Sequence, residues 1–216
     1  MVRLVPYANK YRGGLGCSPG VAPDLGGGGS PRILTVMSLP SLGTLRSLPA
    51  LEHPELLAAP VVAALTGWRH GGRVAVVEID PELADTAAMT AAYEVPLVMS
   101  ANCVVVAGRR AGEERVAACV VRADTRADVN NVVKRALDVR KASFLPMDRA
   151  VEESGMEYGG ITPLGLPLSW RVLVDSRVLA IEAAVVGSGV RRSKLVLPGA
   201  LVAELPNAVV LDDLGR

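Results

Sequence analysis

The stretch from Glu157 to Trp170, Glu-Tyr-Gly-Gly-Ile-Thr-Pro-Leu-Gly-Leu-Pro-Leu-Ser-Trp, holds three glycines and two prolines in fourteen residues, too many for a helix or an uninterrupted strand. It has to be a shaped loop. Gly159 and Gly160 permit positive φ and let a ligand approach the main chain with no Cβ in the way, while Pro163 and Pro167 fix φ and remove competing donors. A loop of this kind must place every N–H and C=O. An amide without an internal partner is free to polarise a ligand carbonyl or to carry an oxyanion. Composition alone also describes a plain Gly/Pro connection between two strands, and that reading stays open at this point.

The chain of 216 residues is long enough for one domain with a real core. Half of it is hydrophobic but only 3% is aromatic, so the interior has to be built from Val, Leu, Ala and Ile. One Phe, four Tyr and two Trp leave little for base stacking, and a net charge of +1 gives no global field for polyanions. Any nucleic-acid contact must therefore come from a local basic patch, and neither DNA nor a membrane is an expected partner. Three cysteines without CxxC spacing argue against a disulfide framework and a zinc knuckle, and no cofactor or metal is expected. Charges, Gly or Pro interrupt every apolar run short of a membrane span, and no secretion signal opens the chain, so the expected location is cytoplasmic. Residues 1–36, punctuated by Gly13-Gly14, Pro19-Gly20 and the run Gly26 to Gly29, read as a disordered extension ahead of a domain at 37–216. Met37 is an alternative initiator to Met1.

Within that domain a helical stretch runs from Glu52 to about Trp68, bent or split at Pro60. A buried strand follows at Arg73 to Ile79, then a short helix from Ala84 or Asp85 to Tyr93 with Asp85 or Thr86 as cap. Cys103 to Ala107 and Arg115 to Arg122 are β-branched runs that predict a hairpin around Gly108 to Glu114. Thr125-x-x-Asp128 has capping-box spacing, and Val129, Val132, Val133, Ala136 and Leu137 form one helical stripe. Arg171 to Asp175, Ala183 to Gly187, Leu195 to Leu197 and Ala208 to Leu211 read as strands, with a short helix at 198–205.

Side-chain catalysis is poorly represented. His53 and His70 have no neighbouring Ser or Cys pattern, Cys103 and Cys119 fall inside predicted strands as small hydrophobes, and no Walker loop, HExxH or GxGxxG is present. Asp175 ends a strand shortly after the Gly/Pro loop and is placed to orient it or a ligand, or to serve as a structural carboxylate. Gly187-Ser-Gly-Val-Arg-Arg-Ser-Lys194 is a Gly-rich turn whose amides can form an anion nest beside Arg191, Arg192 and Lys194, or else an exposed basic hairpin.

Taken in order, Asp80-Pro81, the hairpin around Cys103, the apolar helix after Asp128, Ser154-Gly155, Gly159-Gly-Ile-Thr-Pro163 with Leu164-Gly165, Val174-Asp175 and Gly187-Ser-Gly189 before Arg191 resemble the YbaK/EbsC proteins. These are freestanding relatives of the editing domain inserted in bacterial prolyl-tRNA synthetases. The resemblance, from roughly Ala75 to Leu214, implies a mixed α/β fold with a central, largely antiparallel, barrel-like sheet surrounded by helices. It also implies a trans-acting deacylase that hydrolyses the ester of mischarged tRNA with main-chain groups and a hydroxyl of the substrate ribose. Under it, Gly159 and Gly160 present backbone groups to the ester or water, and Pro163 holds the loop. Ile161, Thr162, Asp175, Gly187, Ser188, Gly189, Arg191, Arg192 and Lys194 meet the substrate, the cations taking phosphates near the acceptor end. The implied partners are mischarged tRNA and an aminoacyl-tRNA synthetase. One departure stands out: Asn102 occupies a place where the best-known members carry a lysine. Hydrolysis with altered substrate or rate, binding of the acceptor end or a synthetase without hydrolysis, and replacement of the cation by Arg191, Arg192 or another residue all follow from it.

Overall fold

The computed structural model describes residues 42–216. The expected extension at 1–36 and the alternative start at Met37 lie outside the described residues. In chain order the elements are β1 (Ser47–Pro49), α1 (Ala59–Gly67), β2 (Ala75–Glu78), α2 (Thr86–Ala92), β3 (Ala101–Arg110), β4 (Glu113–Arg122), α3 (Lys134–Leu137), β5 (Ala142–Phe144), α4 (Met147–Ser154), β6 (Arg171–Asp175), α5 (Ser176–Leu179), β7 (Ala184–Gly187), β8 (Ser193–Leu197) and β9 (Ala208–Leu211). They form a mixed α/β fold with two sheets. One is antiparallel in the order β1-β2-β8-β7; the other runs β5-β3-β4-β6-β9, with β6 parallel to both β4 and β9.

The expected barrel-like closure is not found. Among the described residues, backbone pairing joins the two sheets only at an isolated bridge between Ser100 and Val185. The reason lies in β3, which pairs along its whole length with β4 but with β5 only at Val106, Ala107 and Gly108. Its first half therefore has a free edge facing β7, and a cavity occupies the gap that a closed ladder would fill.

Period-2 alternation explains the layers. Val76, Val186, Leu195 and Leu197 of one sheet share a core with Val120, Val172 and Val174 of the other and with Val61 and Leu65 of α1. The opposite faces are covered separately: Val77, Val185 and Val196 with Met89 of α2, and Val106, Cys119, Val121 and Leu173 with Val133 and Leu137.

Local signals explain most boundaries. Pro60 does not bend a long helix; it sits in the first turn of α1, after single 3-10 turns at Ala50–Glu52 and Pro54–Leu56. Asp85 caps α2 by accepting from the amides of Ala87 and Ala88. The hairpin strands run further than their β-branched cores, because Ala111 (φ 51°) and Gly112 (φ 86°) turn the chain in two residues. Capping after the hairpin falls to Asp128, which accepts from the amide of Asn131, while the Thr125 hydroxyl donates to the Arg122 carbonyl. A π-helical turn at Val129–Val133 then leads into α3.

Leu195 is fully buried between the sheets. Leu195→Ala is expected to cost about 2–5 kcal/mol through lost transfer energy and a residual void. Urea denaturation checks this as a lower midpoint at unchanged slope.

Candidate active site

The Gly/Pro loop and the Gly187–Gly189 turn are packed main chain against main chain. Gly189 donates to the Gly160 carbonyl at 2.8 Å, and Glu157 donates to the Gly189 carbonyl at 2.8 Å. Only missing side chains allow this approach. A Cβ on Gly187 would lie 2.3 Å from the Gly160 oxygen and 2.6 Å from that of Ile161, and one on Gly160 would lie 2.8 Å from the backbone of Val190. Gly159 and Gly189 have φ of +81° and +84°, a conformation that side chains strain.

In front of this contact opens a cavity of about 660 Å³, within the range of small-molecule sites. Its walls come from Ala84, Asp85 and Thr86 at the start of α2, Asn102 to Val105 of β3, Gly159 and Ile161 of the loop, Gly187 of β7 and Lys194 of β8. The amide of Gly160 donates to the Glu157 carbonyl, but those of Gly159, Ile161 and Thr162 have no acceptor among the described residues. Two loop residues with unspent donors thus line the hollow. Phe144 and Tyr158 stand exposed at its rim, so the chain's single Phe lies at this site.

The other expected site residues are dispersed. Pro163 lines a separate hollow of about 310 Å³ with Trp68 and Trp170, and Thr162 is fully buried with no partner for its hydroxyl. Asp175, away from both hollows, accepts from the amides of Arg177 and Gly215 and from the Arg177 guanidinium. Burial alone would raise its pKa, but these donors hold the carboxyl below the ordinary range. The Ser188 hydroxyl is spent on the carbonyls of Val190 and Ser193. The three cations also diverge. Arg191 joins the Pro81 and Tyr158 carbonyls and its amide donates to Glu157, while Arg192 bonds the Glu55 carbonyl. Lys194 alone enters the cavity, where its Nζ donates to the Ala84 carbonyl at 2.8 Å and the Gly159 carbonyl at 3.5 Å.

Asn102 lies on the same wall system, with its Oδ1 accepting from the Thr86 hydroxyl at 2.7 Å. Cys103 also lines the cavity, but burial pushes its thiol up to about 12, which disfavours the thiolate that a nucleophile needs. Among the described residues no group of His, Cys, Asp and Glu gathers in a way that would hold a metal, and no helix is long and apolar enough to cross a membrane.

The model of the aminoacyl-tRNA editing domain matches residues 80–205, more than half of the chain. The chain belongs to this family. Among solved structures, the editing domain resembles a protein provisionally assigned as a trans-editing enzyme for prolyl tRNA synthetase, with a TM-score of 0.63 at 20% identity over 74% of this chain and 96% of that one. A crystal structure of a hypothetical protein aligns with a TM-score of 0.58 at 23% identity, over 65% of this chain and 90% of that one. At these identities the likeness is one of fold. No curated protein matches the chain significantly.

Sequence reasoning grouped Lys194 with Arg191 and Arg192 as phosphate-binding cations of one turn, without separating it from them, and missed Thr86, Asp85 and Tyr158 in the editing domain's cavity. The missed signal was alternation. Once β8 is seen to start at Ser193, Lys194 falls on the same face as Val196, which is buried against Met89.

Two measurements follow for the editing domain. Gly187→Ala should lower stability by about 1–3 kcal/mol through overpacking, against a near-neutral Gly72→Ala, whose Cβ meets open space; thermal melts compare them. The second concerns Lys194, whose pKa is lowered to about 8 by burial and by Arg191, with Asp85 opposing. Between that value and the ordinary lysine range the unfolded chain holds a proton that the folded one lacks. Stability should therefore rise with pH across this window, by up to about 1.4 kcal/mol per unit, and be flat in this respect below it. Denaturation midpoints of wild type and Lys194→Met across the window should diverge accordingly.

Proposed function

We propose that this protein is a trans-acting hydrolase that removes the amino acid from mischarged tRNA. Family membership supports an editing role, and the observation that carries the chemistry is the pair Gly159 and Ile161, lining a cavity with amides that have no acceptor among the described residues. Hydrolysis adds water across the ester: the oxygen of water bonds to the carbonyl carbon, the ribose oxygen leaves with a proton, and free amino acid and tRNA result. Negative charge develops on the carbonyl oxygen, and preorganised amides stabilise it at no reorganisation cost. No nucleophilic side chain is required, in keeping with the protonated Cys103. The terminal base has ring surface to stack on at Phe144 and Tyr158, at the mouth of the cavity. Cys103, Val105, Leu145 and Ile161 give the acyl group an apolar wall that selects by size, where one methylene is worth ~1–3 kcal/mol.

A second reading, a module that binds the tRNA acceptor end or a synthetase without turnover, rests on neutral Asn102. A panel of tRNAs charged with Cys, Ala or Ser separates the two. Release of amino acid faster than in buffer is the expected result; tight tRNA binding with no acceleration on any member would instead establish the module.

Gly160→Ala tests the backbone claim. Its Cβ would lie 2.8 Å from the Val190 main chain, so the loop must move, and a misplacement approaching about 1 Å is expected to lower kcat/KM by about 100-fold. Unchanged kinetics in a folded variant would remove the loop from the mechanism.

A further inference from the structure

Lys194 is the only basic side chain that is buried among the described residues, at 5% exposure, and no carboxylate there pairs with it. Carbonyls of Ala84 and Gly159 take two of its three N–H groups. The acid that acts on its charge, Asp85, engages its Oδ1 with the Ala87 and Ala88 amides, and Arg191 adds a like charge. Carbonyl dipoles only partly replace water around an ammonium, so burying it in this way carries a cost. An anion entering the cavity would offset that cost.

Asn102 fits the same picture. Its oxygen is occupied by the Thr86 hydroxyl, and its Nδ2 donors meet no acceptor among the described residues. The cavity wall thus carries a neutral donor on β3 and a charged one on β8. The α-ammonium of an aminoacyl ester would be repelled by Lys194, which fixes the kind of oxygen that belongs beside it.

We propose that Lys194 is the anion-binding cation of this cavity, seconded by Asn102, and that it meets an anionic oxygen at the tRNA 3′ end. That oxygen belongs either to the phosphate of the terminal nucleotide or to the ester carbonyl as water adds to it. The inference rests on the editing reading for its ligand but is tested apart from it.

The full chain is compared with Lys194→Met, with Lys194→Gln, which keeps a donor without the charge, and with Lys194→Met carrying Asn102→Lys. Affinity for uncharged tRNA, kcat and KM on the mischarged panel, and thermal melts are measured for each. Both single variants should fold and lose tenfold or more in tRNA affinity or in kcat/KM. Asn102→Lys, which returns a charge to the same cavity from another strand, should recover much of that loss. Weakened tRNA binding with raised KM identifies the phosphate, and a fall in kcat alone identifies the reacting oxygen. Should wild type hydrolyse nothing, the deacylase reading falls and tRNA affinity alone decides on Lys194. Variants within twofold of wild type in every measured quantity overturn the proposal, as does a loss that Lys194→Gln does not share or that the added lysine does not relieve.

Discussion

Two segments of main chain lie against each other where side chains would not fit, and the site depends on that contact. Gly160 carries the hydrogen bond from Gly189, and the oxygens of Gly160 and Ile161 close over Gly187 at distances that exclude a Cβ. The approach fixes a loop that has no regular secondary structure of its own. Rigidity comes here from hydrogen bonds and van der Waals contact between backbones, with proline restricting φ on the far side. A loop held this way can leave individual amides unspent at modest cost, because its neighbours already determine its shape.

Charge is distributed with the same economy. Of the three cations Arg191, Arg192 and Lys194, the two ahead of β8 staple loops by bonding carbonyls, and only Lys194, within β8, faces the hollow. Asp175 likewise works for the fold, tying the end of β6 to Gly215. Separating these structural charges from the one in the cavity follows from geometry alone, since residue type does not distinguish them.

Much of the fold was legible in the sequence. The strand runs at Arg171–Asp175 and Ala208–Leu211, the hairpin and the Asp85 cap stand where pattern and propensity put them. Elements with weak local signals were not. β5 is three residues long, and α4 is strongly amphipathic but directly follows Pro146. The helix expected after Thr125 opens with a π turn, and Asp128 takes the capping role. The site was legible as a loop and a turn, since glycine and proline announce backbone conformation. Its remaining walls were not, because Thr86, Asn102 and Lys194 come together only through pairings between distant strands, and period-2 inference required the correct first residue of β8. Pro163 and Asp175 belong to the same sequence motifs yet stand away from the cavity.

The seam between the sheets has its own consequence. Where a barrel would have a ladder, this fold has the single bridge of Ser100 to Val185, and the two layers are held together by the Val- and Leu-rich interior under α1. A seam without a ladder gives way before a hydrogen-bonded sheet does. The width of the hollow therefore depends on aliphatic packing that continues from its own wall at Ala101 and Val186 into that interior, and a methylene gained or lost deeper in it, at Leu65 or Leu197, would retune which guests fit without changing a residue that meets them.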